Sequence, residues 1–175
     1  MRAIACMFPL LFATACGGGE AEVNEAAPVA TTIVAGQWEL ASEVTDFRSV
    51  DQGQPTIDTP VGTRSTGAAC VGADTRPPTA FFAGEGYACE YGAYYVRNGR
   101  INVTLACTRE GLSGSIPISA EGRITADGVE FTRTIRTVLV GDGDVEISAN
   151  VTGRRTGDCA PEANDSEDNA AAPAG

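Results

Sequence analysis

The stretch Tyr87–Arg109, YACEYGAYYVRNGRINVTLACTR, constrains the fold more than any other part of the chain. Its side chains alternate on both sides of Asn98-Gly99, a dipeptide suited to a tight turn in which both residues take positive φ. It reads as a β-hairpin, and register decides which side chains share a face. A two-residue loop would pair Cys89 with Thr108 and set Tyr95 opposite Asn102. A three-residue loop, Arg97-Asn98-Gly99 with Gly99 left-handed, pairs Cys89 with Cys107, Tyr91 with Leu105, Ala93 with Val103 and Tyr95 with Ile101. One face is then apolar, while Glu90, Tyr94, Arg100, Asn102 and Thr104 take the other. The three-residue register is therefore expected.

The same alternation runs through the neighbouring segments. Gln37–Asp46 places Trp38, Leu40, Ser42 and Val44 on one side and Gln37, Glu39, Ala41 and Glu43 on the other. A loop rich in Gly, Pro and Asp follows from Asp51 to Thr63, then a short strand, Ser65–Val71, holds Cys70. Ala73–Gly86 is a Pro-containing loop with the adjacent pair Phe81-Phe82, expected to pack into the core at one barrel end, with a partner or a membrane as alternative targets. Ile116, Ile118, Ala120 and Ile124 share a face, and Ala126-Asp127-Gly128 turns the chain into Val129, Phe131, Arg133, Ile135 and Leu139. A three-residue loop, Gly141-Asp142-Gly143, would set Leu139 opposite Val145 and Ile135 opposite Ala149, with Ile147 and Val151 on the same face. Short connections of this kind imply an antiparallel meander of six or seven strands. No helix is evident to cover the apolar faces. The expected fold is all-β, a sheet curled into a barrel or a half-barrel closed by the strand of Trp38.

Cysteine spacing adds two crosslinks and an address. Residues 1–16, MRAIACMFPLLFATAC, place Arg2 before an apolar run and small residues, the layout of a secretory signal. Ala13-Thr14-Ala15 fits ordinary signal-peptidase cleavage, and bacterial lipoproteins usually have Leu where Ala13 stands, but both cuts fall before Cys16. Once Cys6 leaves with residues 1–15, Cys16, Cys70, Cys89, Cys107 and Cys159 remain, an odd number for an oxidising compartment. Lipid on Cys16 leaves four thiols for two disulfides; an unlipidated periplasmic protein is the alternative. The hairpin register makes Cys89–Cys107 the first bridge, and Cys70–Cys159 follows by elimination, although spacing does not fix connectivity. Loop entropy makes such closures worth about 3 and about 4.5 kcal/mol taken separately. Gly17 is not the Asp that marks inner-membrane retention in characterised lipoproteins, so the periplasmic face of the outer membrane is expected. Residues 16–35 read as a lipidated N-terminus and flexible linker, 36–159 as the folded domain, and 160–175 as a disordered acidic tail.

Composition removes whole classes of chemistry. The chain has no His and no Lys; all 12 cations are Arg, against 23 acids, for a net charge of −11. Ser-His-Asp and Cys-His machinery, Schiff bases and P-loop lysines are therefore excluded. A nucleic-acid partner is not expected, and neither is a cofactor. The four domain thiols lack zinc-site spacing, and Gly141–Glu146 lacks the offsets of a calcium loop, so no metal is expected either.

The opening Gly36-Gln37-Trp38-Glu39, the Cys70, Cys89, Cys107 and Cys159 framework, and the closing Gly153-Arg154-Arg155-Thr156-Gly157-Asp158-Cys159 resemble a proteobacterial family known only as a domain of unknown function. The resemblance covers roughly residues 35–160. It implies a small exported or lipidated protein and carries no catalytic residue. Arg154 and Arg155 read as a strand end whose guanidinium pairs with a carboxylate such as Asp158.

Arg133 breaks the alternation, falling on an apolar face with small Ala120 beside it. An inward arginine suits the carboxylate of a fatty acid-like ligand; otherwise it snorkels to water or pairs with an acid. The leading expectation is a non-enzymatic binding or structural module of the cell envelope, with membrane contact through lipid and an envelope protein as possible partner. A lipocalin-like carrier or sensor of a small apolar ligand is the alternative, and a hydrolase with paired carboxylates the third. An open lumen of several hundred cubic ångströms favours the carrier, a filled interior with an exposed apolar patch favours a protein partner, and a cleft with two close carboxylates would favour the hydrolase.

Overall fold

The computed structural model describes residues 32–73, 76–125 and 128–160. The signal segment, Cys16, most of the linker and the acidic tail lie outside the described residues. The strands are β1 (Gly36–Ser49), β2 (Arg64–Val71), β3 (Ala88–Arg97), β4 (Arg100–Thr108), β5 (Gly114–Ile124), β6 (Gly128–Arg136), β7 (Val138–Leu139) and β8 (Val145–Gly157), with one helical turn, α1 (Ala80–Ala83). Seven of the strands follow the order β2-β1-β8-β6-β5-β4-β3, every neighbour antiparallel, and two-residue β7 pairs with β5 off this path. The result is an all-β half-barrel. Its edge strands β2 and β3 are not hydrogen-bonded to each other, and the sheet stays open along that seam.

Alternation places the core as expected. Ile101, Val103, Leu105 and Cys107 of β4, Ile116, Ile118, Ala120 and Ile124 of β5, and Val145, Ile147, Ala149 and Val151 of β8 are all buried. On β1 Trp38 and Val44 are buried and Leu40 and Ser42 half-buried, while Glu39, Ala41 and Glu43 face out. At Gly122, β6 comes so close that a Cβ would lie 2.0 Å from the Glu130 carbonyl and 2.6 Å from the Phe131 Cβ, which explains the missing side chain there.

The hairpin differs from expectation in a way that has a clear cause. Asn98 (φ 52°) and Gly99 (φ 71°) form a two-residue turn, not the three-residue loop, and Arg97 pairs with Arg100 and Tyr95 with Asn102. Cys89 nevertheless faces Cys107 and Tyr91 faces Leu105, because a β-bulge at Gly92 adds one residue to β3. Each register holds on its own side of the bulge. The extra residue also turns Tyr94 inward with Tyr91, their rings 5.5 Å apart, and leaves Tyr95 53% exposed.

The β6–β8 connection is also longer than three residues. Ile135 faces Ile147 rather than Ala149, and the chain from Val138 to Asp144 leaves the ladder so that β7 can pair with Gly114 and Ser115 of β5. Buried Thr137 replaces the lost pairing: its amide donates to the Val145 carbonyl (3.0 Å) and its hydroxyl accepts from the Val145 amide (2.8 Å). The slip is two residues, so the inward set is unchanged.

Both disulfides form as expected, Cys89–Cys107 and Cys70–Cys159. The single helical turn was not expected. Gly84, with φ 79°, ends it and donates its amide to the Ala80 carbonyl, and Phe81 and Phe82 are 1% and 0% exposed. Phe81 stacks edge-on to Trp38 (5.8 Å), and Phe82 meets Phe131, Tyr91 and Tyr94 at 5.7 to 6.3 Å, giving the open side an aromatic plug.

At the far end, Asp51 clips two loops together. Its carboxylate accepts from the amides of Gly53 (2.8 Å), Gly143 (2.8 Å) and Asp144 (2.9 Å). The Asp144 amide, with help from Gly143 and Gly53, holds the Asp51 carboxyl below its ordinary value of 3.8 against a smaller opposing effect of burial. A carboxyl depressed in the fold adds stability above its unfolded value, and this is lost as pH falls through the folded one. Asp51→Asn is thus expected to lower the urea midpoint at pH 7, with the gap to the parent narrowing below about pH 4. A gap independent of pH would contradict the clip.

Candidate functional site

The curl of the sheet and the position of α1 leave a cavity of about 300 Å³ against the seam. One lip is the edge strand β2, from Ser65 to Ala68, and the other is the segment from Ala80 to Tyr87 that leads into β3. Val44, Phe81, Ile135, Ile147 and Val151 supply apolar wall, and Ser42, Ser65, Thr66 and Tyr87 supply hydroxyls. Its volume falls at the small end of the range for ligand pockets.

Arg133 lines this cavity. It lies mid-strand on β6, opposite Ala120 of β5 and Ala149 of β8, so two small neighbours leave its long side chain free to cross the interior. The Ala120 neighbour was legible from the sequence. Of the fates weighed for Arg133, pairing with an acid is not the one observed: among the described residues no carboxylate reaches it. Its Nη2 donates to Ser42 Oγ at 3.3 Å, and its buried Nε has no hydrogen-bond partner. Nη1 packs against Gly84, where an added Cβ would lie 2.6 Å away. Burial pulls the guanidinium below its ordinary value, with Tyr87 opposing the shift. A group of this basicity keeps its proton, so the cavity holds a positive charge without a counter-ion.

Tyr87 and Arg109 complete the polar part, and sequence reasoning missed both because they lie at the ends of β3 and β4, where alternation stops. Arg109 sits over the Tyr87 ring, 5.4 Å from its centroid, and its Nη1 donates to Tyr87 Oη at 3.5 Å. Glu85 is the one carboxylate on the lining, exposed and beyond ion-pairing distance of either guanidinium.

The other candidates have structural partners. Arg155 pairs with Asp158 (2.6 Å) and donates to the Ala35 carbonyl, as a strand end should, and Arg154 pairs with Glu39 at 2.9 Å. The Glu39–Arg154 pair lies on a shallower outer hollow of about 770 Å³ that contains no buried polar group. Among the described residues no cluster of three or more His, Cys, Asp or Glu gathers as a metal site. Cys16 lies outside the described residues.

Fold and site together define a small, disulfide-bonded β half-barrel with an arginine-lined cavity at its seam. Residues 33–159 match the family described as protein of unknown function DUF3617, and the chain belongs to that family. No curated protein and no solved structure matches it.

A guanidinium held in an apolar cavity with an orphaned Nε costs stability. Arg133→Met keeps the length and removes the charge, and should raise unfolding stability by about 1–3 kcal/mol. A clear loss of stability in chemical denaturation would mean that Arg133 is a structural support instead.

Proposed function

We propose that this chain is an exported cell-envelope protein, anchored by lipid on Cys16, whose β domain is a non-enzymatic module that binds a small acid with an apolar body. The observation that carries the reading is the uncompensated charge of Arg133 inside a largely apolar cavity. A carboxylate supplies the counter-ion, and the aliphatic walls take its hydrocarbon part.

Export rests on Arg2, the apolar run up to Ala13 and the small residues before Cys16. Lipidation rests on cysteine arithmetic: the four domain cysteines are consumed in two bridges, which leaves Cys16 alone once Cys6 departs with the signal. Gly17 favours the periplasmic face of the outer membrane, and small lipidated proteins of proteobacteria are the relatives that the end motifs suggest. The net charge of −11 disfavours nucleic acid and an anionic membrane surface as partners. Paired-carboxylate hydrolysis would need a second acid beside Glu85 on the cavity lining. Docking of an envelope protein is the second reading, favoured by Val138 and Val140 at the β7 turn, 53% and 85% exposed.

The test is titration calorimetry of the full-length protein in detergent against straight-chain carboxylates of six to twelve carbons. At least one acid should bind, and Arg133→Met should weaken it tenfold or more, in line with about 1.5–3 kcal/mol for a hydrogen bond to a charged group. If no acid of the series binds, or Arg133→Met binds unchanged, the reading falls. Cys16→Ser should release the protein from the membrane fraction; unchanged retention would remove the lipid anchor from the proposal.

A further inference from the structure

Six other arginines of the described residues have acidic partners. Arg48 and Arg136 share Glu146, and Arg64, Arg123, Arg154 and Arg155 pair with Glu43, Glu130, Glu39 and Asp158. Of those without one, Arg76 lies over the Tyr91 and Tyr94 rings, and Arg97 and Arg100 are exposed where they pair at the hairpin turn. Arg133 and Arg109 both lack a carboxylate partner among the described residues, and both line the same cavity. Tyr87 joins them: its ring carries the Arg109 guanidinium, and its phenol lies within the field of Arg133. One guanidinium is inside and largely desolvated, and the other is exposed at the mouth.

We propose that the ligand is an α,ω-dicarboxylate, with one carboxylate on the Arg133 Nη atoms and the other on Arg109 over the Tyr87 ring. This rests on the acid-binding reading above and adds the second charge. Arg133 Nε is sealed from solvent, so the inner carboxylate is taken end-on by the terminal nitrogens. Val44, Ile135 and Ile147 pack the methylene chain. A monocarboxylate leaves Arg109 facing water. In the diacid complex each acid end meets a guanidinium, and the domain discriminates by the number of charged ends.

The test compares sebacate with decanoate, which have the same ten carbons and differ in the second carboxylate. Calorimetry on the full-length protein in detergent at low salt should show sebacate binding about tenfold tighter, the effect of one charge-assisted contact. Arg109→Gln should remove that preference, so that on this variant sebacate and decanoate bind alike. The preference should also shrink as salt is raised. Decanoate binding as tightly as sebacate, or a preference that survives Arg109→Gln, would overturn the diacid assignment and leave the acid-binding reading standing. Absence of binding by either acid and by the rest of the straight-chain series would overturn both.

Discussion

The half-barrel depends on how its open seam is sealed. A sheet whose inner face is apolar from β1 to β5 must cover that face, and here the two edge strands never meet. Phe81 and Phe82 fill the gap, anchored between Trp38 on β1, Phe131 on β6 and the tyrosine pair on β3. One helical turn has little stability of its own. It is held by aromatic packing from both sides of the opening, and the plug and the curled sheet stabilise each other.

The disulfides act on the same weak point. β2 and β3 are the edges, paired along one side only, and such strands fray most readily. Cys70–Cys159 ties β2 to the chain beyond β8, and Cys89–Cys107 ties β3 to β4. Each bridge therefore fixes one lip of the seam, and with it one wall of the cavity. Crosslinks at these positions hold each edge strand to its own side of the sheet and limit fraying at both lips.

Most of the fold is legible because alternation holds along the strands that have neighbours on both sides, β1 excepted beyond Val44, where a bulge shifts its register. β4, β5 and β8 hide every second residue, and small slips along them leave the faces intact. What was hidden arises from tertiary demands. The hairpin sequence satisfied the turn preference of Asn98-Gly99 and the pairing of Cys89 with Cys107 only by way of a bulge, and a rigid register admits one or the other. The bulge at Gly92 follows from the need to turn both Tyr91 and Tyr94 toward Phe82, a contact from a distant segment. The helical turn escaped notice because four residues have no period to read. In the site, Arg133 was visible as a charge in an apolar row, whereas Arg109 and Tyr87 looked like ordinary strand ends until the seam brought them to one cavity.

A buried guanidinium and a sealed seam are coupled through Gly84. Arg133 Nη1 lies where a side chain at Gly84 would be, so any substitution there must displace the guanidinium, and the φ of 79° itself favours glycine. Any anion that draws Arg133 toward the cavity acts on the C-terminal end of α1, and any movement of α1 changes the surroundings of Arg133. On the acid-binding proposal, occupancy of the cavity is linked to the integrity of the seam. An empty domain keeps a desolvated charge beside its weakest closure, and a filled one gives that charge its counter-ion. With the unpaired charge at the plug, rather than deep between continuous strands, a ligand of the proposed kind would stabilise the part of the fold that has least stability of its own.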